Sequence, residues 1–177
     1  NTYREKFAAR TGEYSIKMFG NWTGGFNVSG AFQDFACQPG QVASCRGWGI
    51  NVGSDAMSGG NRALIKLIYR DSNGNDLQFL ELGWLDALTP PDVYQFSYGT
   101  LPPAPAGTAY GSLFVLFLQP EFAGGAAFYD DLSVSVSSDR TVSGKVDFGM
   151  APPAGPVRFE FRDNTLQTVT SIDVDLD

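Results

Sequence analysis

Apolar and polar residues alternate with a period of two along most of this chain, in short runs separated by Gly, Pro, Asn and Asp. That period puts successive side chains on opposite faces of an extended strand. Several short strands with turn residues between them are typical of an antiparallel β-sandwich, so we expect an all-β fold. The strands are predicted near residues 13–19, 28–35, 41–52, 61–70, 77–84, 93–98, 109–119 and 125–136.

Two segments depart from simple alternation. The first ten residues, NTYREKFAAR, are the one stretch whose pattern allows a helical turn. The run from Leu113 to Leu118, LFVLFL, is apolar at every position. It predicts a central strand that is covered on both faces.

Oxygen-bearing side chains crowd the segment RDSNGNDL, from Arg70 to Leu77, in a way that resembles a calcium-binding loop. An EF-hand loop that starts at Asp71 would need Glu at its twelfth position, where this chain has Leu82. Asn73-Gly74 between two alternating runs instead predicts a type I′ β-hairpin. We therefore interpret the segment as a turn.

After residue 137 the alternation becomes cleaner, with one apolar and one polar face in each run. We divide the chain into a β-sandwich at 1–137 and a three-stranded β extension at 138–177, whose runs are 142–148, 157–161 and 172–176.

If the last two runs pair, Arg158 and Arg162 would face the row Asp173, Asp175 and Asp177. So small a sheet cannot bury its own apolar face. The extension therefore packs on the sandwich, continues in further residues, or pairs with another copy of the chain through its edge strands.

Composition and charge exclude several classes of function. The chain of 177 residues has a net charge of -7 and its basic residues form no stripe, which argues against a nucleic-acid partner. No run of about 18 apolar residues is present, so we expect no membrane-spanning helix. The sequence has no histidine, which excludes Ser-His, Cys-His and His-metal catalytic sites.

Cys37 and Cys45 bracket the segment QPGQVAS. Pro39-Gly40 predicts a turn between two strands, and a disulfide across such a hairpin would suit an oxidising compartment. Two free, buried thiols are the alternative. With no other cysteine and no histidine in the chain, a zinc site is not expected.

Two adjacent carboxylates interrupt the strand predicted at 125–136. Asp130 shares its parity with Phe128, Leu132 and Val134, so strict alternation would aim it at the core. An unpaired buried carboxylate is destabilising by several kcal/mol or becomes protonated, and this one therefore requires a partner.

Three segments resemble the jelly-roll carbohydrate-binding modules that accompany xylanases and cellulases, in a variant found in secreted bacterial proteins. They are TGEYSIKMFG, SGAFQDF and GGAAFYDDLSVSV, within a resemblance that spans about residues 11–136. The resemblance implies a jelly-roll sandwich and an extracellular or cell-surface location. It also implies that the inward Asp of the closing strand binds a structural calcium ion. Asp130 takes that position here, with Glu13 as the nearest candidate for a second ligand.

Sugar recognition requires aromatic side chains on a sheet face or loop rim, flanked by polar groups. Our candidates are Trp22 in a Gly-rich loop, and Tyr94, Tyr98 and Tyr110. The stripe Tyr94, Phe96 and Tyr98 is either core or platform. Trp48 and Trp84 share parity with apolar neighbours and are predicted to lie in the core.

We therefore predict a non-catalytic, extracellular polysaccharide-binding module with structural calcium. The alternative is a structural subunit of an extracellular filament or layer, which binds copies of itself by β-strand complementation through the C-terminal strands. An enzyme is not expected, because glycosidases need two carboxyl groups across a cleft. The side chains of Asp130 and Asp131, adjacent on one strand, would point to opposite faces.

Overall fold

The structure, a computed structural model, describes residues 1–138, 155–162 and 168–176, and these residues form strands, turns and one short 3-10 helix at Gly53–Asp55. Every strand predicted up to residue 136 is present, with its ends shifted by a few residues. The strands are β1 (Thr2–Glu5), β2 (Ser15–Met18), β3 (Asn27–Phe35), β4 (Val42–Asn51), β5 (Arg62–Arg70), β6 (Asp76–Asp86), β7 (Gln95–Thr100), β8 (Tyr110–Gln119), β9 (Ala127–Ser137), β10 (Gly155–Arg162) and β11 (Thr168–Leu176).

The chain divides into two compact units, Asn1–Arg140 and Thr141–Asp177. In the first unit a five-stranded sheet, ordered β1-β2-β9-β4-β7, faces a four-stranded sheet, ordered β3-β8-β5-β6. All neighbouring strands in both sheets are antiparallel. The predicted all-β sandwich is confirmed. No helix in the described residues is long and apolar enough to cross a membrane.

The core between the two sheets collects the inward-facing apolar side chains of both. Two buried tyrosines also form hydrogen bonds there: the Tyr129 hydroxyl donates to the Gly83 carbonyl oxygen at 2.7 Å, and the Ala43 N–H donates to the Tyr69 oxygen at 2.7 Å. Because a buried hydroxyl without a partner is destabilising, these bonds fix which strands lie opposite each other.

The N-terminal segment is a strand and not the helical turn that its pattern allowed. β1 pairs antiparallel with β2, from Thr2 opposite Met18 to Glu5 opposite Ser15. Met18 is fully buried, and sheet pairing with its strand outweighs the weak helical tendency of so short a segment.

The hairpin between β5 and β6 is confirmed, but its turn is not type I′. That turn needs positive φ at both central residues, and here only Gly74, at +82°, has one. The Gly74 N–H donates to the Asp71 carbonyl oxygen, and the Asp71 carboxylate accepts from the N–H groups of Asn73 and Asn75. These bonds close a type I turn followed by a glycine bulge, and they occupy the carboxylate of Asp71, the first of the residues that suggested a calcium loop.

β8 is central, as predicted, but it is not covered on both faces. Leu113, Val115 and Phe117 belong to the core. Phe114 points to the other side, where it stacks on Phe32 with ring centroids 5.1 Å apart. Phe32 is 64% exposed, so the outer face of the four-stranded sheet carries accessible aromatic rings.

Both cysteines are free and buried, so the predicted disulfide is absent and its alternative holds. Pro39-Gly40 does form a turn, but β3 and β4, on either side of it, belong to different sheets. The turn therefore carries the chain across the sandwich and does not close a hairpin. Burial raises the pKa of Cys45 to about 11 and also raises that of Cys37.

In the second unit, β10 and β11 pair antiparallel. Arg158 lies opposite Asp173, as predicted, whereas a register shift after Phe161 puts Arg162 opposite Thr168. The third predicted run, 142–148, lies outside the described residues.

We expect both thiols to be unreactive in the native protein and fully reactive after denaturation. Burial and the raised pKa values keep Cys37 and Cys45 protonated at neutral pH, and the thiolate is the nucleophile. Titration with a chromogenic disulfide reagent, with and without denaturant but without reductant, measures this. Finding no free thiol in the denatured, unreduced protein would contradict the structure.

Candidate functional site

The outer face of the five-stranded sheet carries a group of aromatic and polar side chains where β7, β4 and β9 lie side by side. Cross-strand register aligns them in three rows: Phe96–Trp48–Asp130, Tyr98–Arg46–Ser133 and Thr100–Ser44–Ser135. Such directly opposed residues contact each other on one sheet face. The first row contains two aromatic residues and the last row contains three residues with hydroxyl groups.

We call Trp48, Phe96 and Tyr98 the aromatic platform. The Trp48 and Phe96 rings are tilted against each other, with centroids 4.9 Å apart. Phe96 is 53% exposed and Tyr98 is 62% exposed, while Trp48 is half-buried. The alternation of β7 produces this, because residues two apart on a strand share a face. The stripe whose role the sequence left open is thus a surface feature at Phe96 and Tyr98.

Hydroxyl groups and one guanidinium border the platform. The hydroxyls of Ser44 and Thr100 are 2.8 Å apart, and the Thr100 hydroxyl donates to the Tyr98 oxygen at 2.9 Å. Hydrogen bonding of the Tyr98 hydroxyl to Thr100, and to a smaller extent to Ser44, lowers the pKa of Tyr98. The Arg46 Nε–H donates to Ser133 Oγ at 3.0 Å, which fixes that guanidinium beside Tyr98.

A β-bulge in β9 decides which way its carboxylates point. Trp48 pairs with Asp130 and Arg46 pairs with Ser133, so Asp131 and Leu132 together oppose Gly47. Asp131 has a left-handed backbone, with φ of +50°. The extra residue reverses the parity of the strand, as bulges do.

The predicted inward position of Asp130 is therefore wrong. Before the bulge, Asp130 lies on the outer face beside Trp48, and after it Leu132 and Val134 pack against the core. A Cβ on Gly47 would come within 2.6 Å of the Leu132 side chain, so a larger residue there would require that side chain to shift. Gly47, inside β4, was the signal in the sequence that could have located the bulge.

Both carboxylates bind the loop at residues 6–14, which we call the N-terminal loop. Asp130 Oδ2 accepts from the backbone N–H groups of Arg10, at 2.7 Å, and Thr11, at 3.2 Å. Asp131 accepts from Arg10 Nη1 at 2.5 Å and from the Thr11 hydroxyl. The Thr11 and Arg10 hydrogen bonds lower the pKa of Asp131. A lowered pKa means that this stabilisation is present above the carboxyl's ordinary pKa of 3.8 and is lost as the pH falls through the folded-state value.

The N-terminal loop closes one end of the platform. Held by the two carboxylates, the Arg10 guanidinium lies over Trp48, 3.9 Å from the ring centroid, in a cation–π contact. The Tyr94 hydroxyl donates to the Ala8 carbonyl oxygen at 2.7 Å and fixes the same loop. A shallow depression of about 490 Å³ remains on the face, lined by Arg10, Arg46, Trp48, Phe96, Asp131, Leu132 and Ser133.

The side chains predicted to bind calcium do not fit that ion. The partners of Asp130 are peptide N–H groups, and Asp131 is paired with a cation, whereas calcium takes several oxygen ligands. Glu13 is exposed and its nearest charge is the Lys6 ammonium, at 3.8 Å. Residues 1–138 contain no group of three or more Asp, Glu or Cys side chains placed to hold a metal. Calcium binding stays a prediction from the resemblance.

The four aromatic residues predicted to bind sugar do not form one site. Tyr98 belongs to the platform, and Tyr94 is half-buried against the N-terminal loop. Trp22, 48% exposed, lies in the loop before β3, where its backbone N–H donates to the Gln119 side-chain oxygen. Tyr110 begins β8 in the other sheet, near Gly74 of the β5–β6 turn.

Sequence reasoning missed Trp48 as a platform residue and left Phe96 open between core and platform. Parity correctly grouped Trp48 with Ile50, but it assigned their common face to the core, when that face is the outer one. Trp84, also predicted to be core, is 46% exposed. It lies beside Gly83, where a register shift between β5 and β6 breaks the alternation.

No protein-family model matches this sequence, and no curated protein matches it. Solved structures match its fold. The enzymatically active domain of bacteriophage CBA120 tailspike protein 4 is 12% identical, with a TM-score of 0.52 over 77% of this chain and 18% of its own length. A structure described as one of promiscuous carbohydrate-binding modules from the β-sandwich superfamily is 11% identical, with a TM-score of 0.54 over 76% of this chain and 52% of its own.

The C-terminal family 22 carbohydrate-binding module of Clostridium thermocellum Xyn10B is 12% identical, with a TM-score of 0.49 over 80% of this chain and 83% of its own. At such identities, likeness concerns the fold alone. The jelly-roll fold expected from the resemblance is confirmed.

Replacing Asp130 with alanine should lower the free energy of unfolding by about 1–2 kcal/mol, because two N–H groups of the N-terminal loop lose a charged acceptor near the surface. Glu13→Ala is the matched control and should change it by less than about 0.5 kcal/mol, since an exposed ion pair contributes little. Denaturant unfolding measures both, with calcium and with chelator. A calcium-dependent stabilisation that either variant abolishes would instead show that these residues bind the ion.

Proposed function

We propose that this chain is a non-catalytic polysaccharide-binding module and that the aromatic platform is its binding surface. The observation that carries the proposal is the exposure of Phe96 and Tyr98, two residues apart on β7, beside a row of hydroxyl groups. A pyranose ring has a face of C–H groups and a rim of hydroxyls. It therefore matches a surface on which aromatic rings and hydrogen-bonding groups adjoin.

The spacing of the platform suits an extended ligand. Side chains two residues apart on a strand are about 7 Å apart, so Phe96 and Tyr98 could contact successive sugars of one chain. The Ser133 hydroxyl lies in the same cross-strand row as Tyr98, and the Ser44 and Thr100 hydroxyls lie in the next row. These hydroxyls offer hydrogen-bond donors and acceptors to the sugar rim. The Arg10–Trp48 contact limits the platform at its other end.

The fold supports the proposal. Among the solved structures that share it, one is described as carbohydrate-binding modules. Another is described as an enzymatically active domain, of which this chain spans 18%. We propose no catalysis, because Asp130 and Asp131 are bound to the N-terminal loop and do not flank an open cleft. Since such polysaccharides lie outside cells, we also propose an extracellular or cell-surface location.

Phe96→Ala and Tyr98→Ala should each weaken polysaccharide binding about tenfold or more, since each removes one exposed ring from the platform. Affinity electrophoresis against xylan, β-glucan, galactan and acidic plant and algal polymers measures this. Phe79→Ala is the matched control, because Phe79 is 54% exposed on the four-stranded sheet and should not affect binding. Equal losses in all three variants, or no retardation by any polymer, would contradict the proposal.

A second function, assembly by strand addition, is favoured by an open strand edge. β2 pairs with β9 only from Ala127 to Tyr129, and beyond that point β9 pairs, among the described strands, with β4 alone. Beside the open edge lies an apolar crevice of about 540 Å³, whose lining includes Ile16, Phe35, Leu132 and Val134. An added strand could pair with the edge and place alternate apolar side chains in the crevice.

We propose that the donor in this second case is a C-terminal strand of another copy, which would make the chain a subunit of an extracellular filament or layer. Deleting Thr168–Asp177 should then convert concentration-dependent oligomers to monomers in sedimentation velocity. A peptide spanning these residues should compete with assembly, whereas a scrambled peptide of equal composition should not. Monomers of the full chain at all concentrations would reject this function.

A further inference from the structure

Arg46 is the cation at the centre of the aromatic face. It lies on β4 between Tyr98 on one neighbouring strand and Ser133 on the other, and two positions before Trp48. Its side chain is exposed, and its Nε–H donates to Ser133. This bond fixes the guanidinium while leaving its terminal N–H groups for a ligand.

The charges around Arg46 set it apart from most cations of the first unit. Lys6, Arg10, Lys17, Lys66 and Arg70 each form an ion pair with a carboxylate. Arg46 forms none with residues 1–138. The carboxylates nearest to the platform, Asp130 and Asp131, are bound by the N-terminal loop, and after those hydrogen bonds the charge of Arg46 also contributes to the lowered pKa of Asp131.

We propose that the platform binds an acidic polysaccharide, with Arg46 holding the carboxylate of a uronic acid unit while Phe96 and Tyr98 contact the sugar rings. The inference rests on the proposed polysaccharide-binding function and specifies its ligand. A guanidinium offers parallel N–H groups that fit a carboxylate in a bidentate pair. The Tyr98 hydroxyl already accepts a hydrogen bond from Thr100, so its own O–H remains free to donate to the same acidic sugar.

The net negative charge of the whole chain opposes the binding of an acidic polysaccharide, so any preference for one must come from a local contact. A net charge of -7 repels a polyanion at long range, and salt would screen that repulsion together with the Arg46 attraction. Salt dependence alone therefore cannot test the proposal. A comparison between two ligands that differ only in the carboxylate separates the local contact from the overall repulsion.

Titration calorimetry with matched oligosaccharides provides that comparison. The probes are oligogalacturonate, oligomannuronate and a glucuronate-substituted xylan oligomer, each alongside its carboxyl-reduced, neutral form. We expect at least one acidic member to bind about tenfold or more tightly than its reduced form. Arg46→Gln should remove this preference, because the ratio of the two affinities isolates the contact with the carboxylate.

Arg62→Gln is the matched control. Arg62 is exposed on β5 of the other sheet and also forms no ion pair with residues 1–138, so the same charge is removed away from the platform. The Arg62→Gln variant should keep the preference of the unmodified protein for the acidic ligand. Equal loss in both variants would assign the effect to net charge and would overturn the role of Arg46.

The outcomes also separate this inference from the function beneath it. Binding of the neutral forms or other neutral polymers that depends on Phe96 and Tyr98, without preference for any acidic partner, would overturn the inference and leave the binding function intact. Binding of no polymer, acidic or neutral, would overturn both.

Discussion

The β-bulge at Asp131 is the constraint on which the candidate site depends. Two residues of β9 lie opposite one residue of β4, Gly47, whose lack of a side chain leaves room for Leu132 in its present position. The bulge lets one strand keep Leu132 and Val134 in the core while it presents Asp130 on the surface. Both carboxylates then hold the N-terminal loop, and the loop places Arg10 over Trp48. The shape of the platform thus follows from one extra residue.

The exposed aromatic rings of the two sheets have different polar neighbours. On the four-stranded sheet, Lys66 and Arg70 lie over Phe79 and Phe114, and carboxylates of β6 pair with both cations, so charge already borders those rings. On the five-stranded sheet, Phe96 and Tyr98 adjoin hydroxyls and Arg46, which forms no ion pair with residues 1–138. The second arrangement leaves hydrogen-bonding capacity for a ligand, and for that reason we assign binding to it.

The sequence predicted the strands and their order along the chain well, because burial of one face imposes a period of two wherever a strand is regular. The failures fall where that period breaks or where the identity of the buried face was assumed. Asp130 was assigned to the core because the bulge was not recognised. Trp48 was assigned to the core because alternation groups residues on one face without saying which face is covered. The disulfide was expected across a hairpin, but the strands on either side of the Pro39-Gly40 turn lie in different sheets and both cysteines are free.

By itself, then, the sequence determined the all-β class, the positions of the strands and the β5–β6 hairpin. It also identified Tyr98 as a candidate for sugar binding. The tertiary structure decided which strands are neighbours, and only that brings Phe96 of β7 beside Trp48 and Arg46 of β4, a distant part of the chain. It also decided the partners of Asp130 and Asp131, which lie more than a hundred residues away in the sequence. The physical reason is that alternation is a local property of each strand, whereas register and sheet order depend on how the two sheets jointly bury their apolar faces.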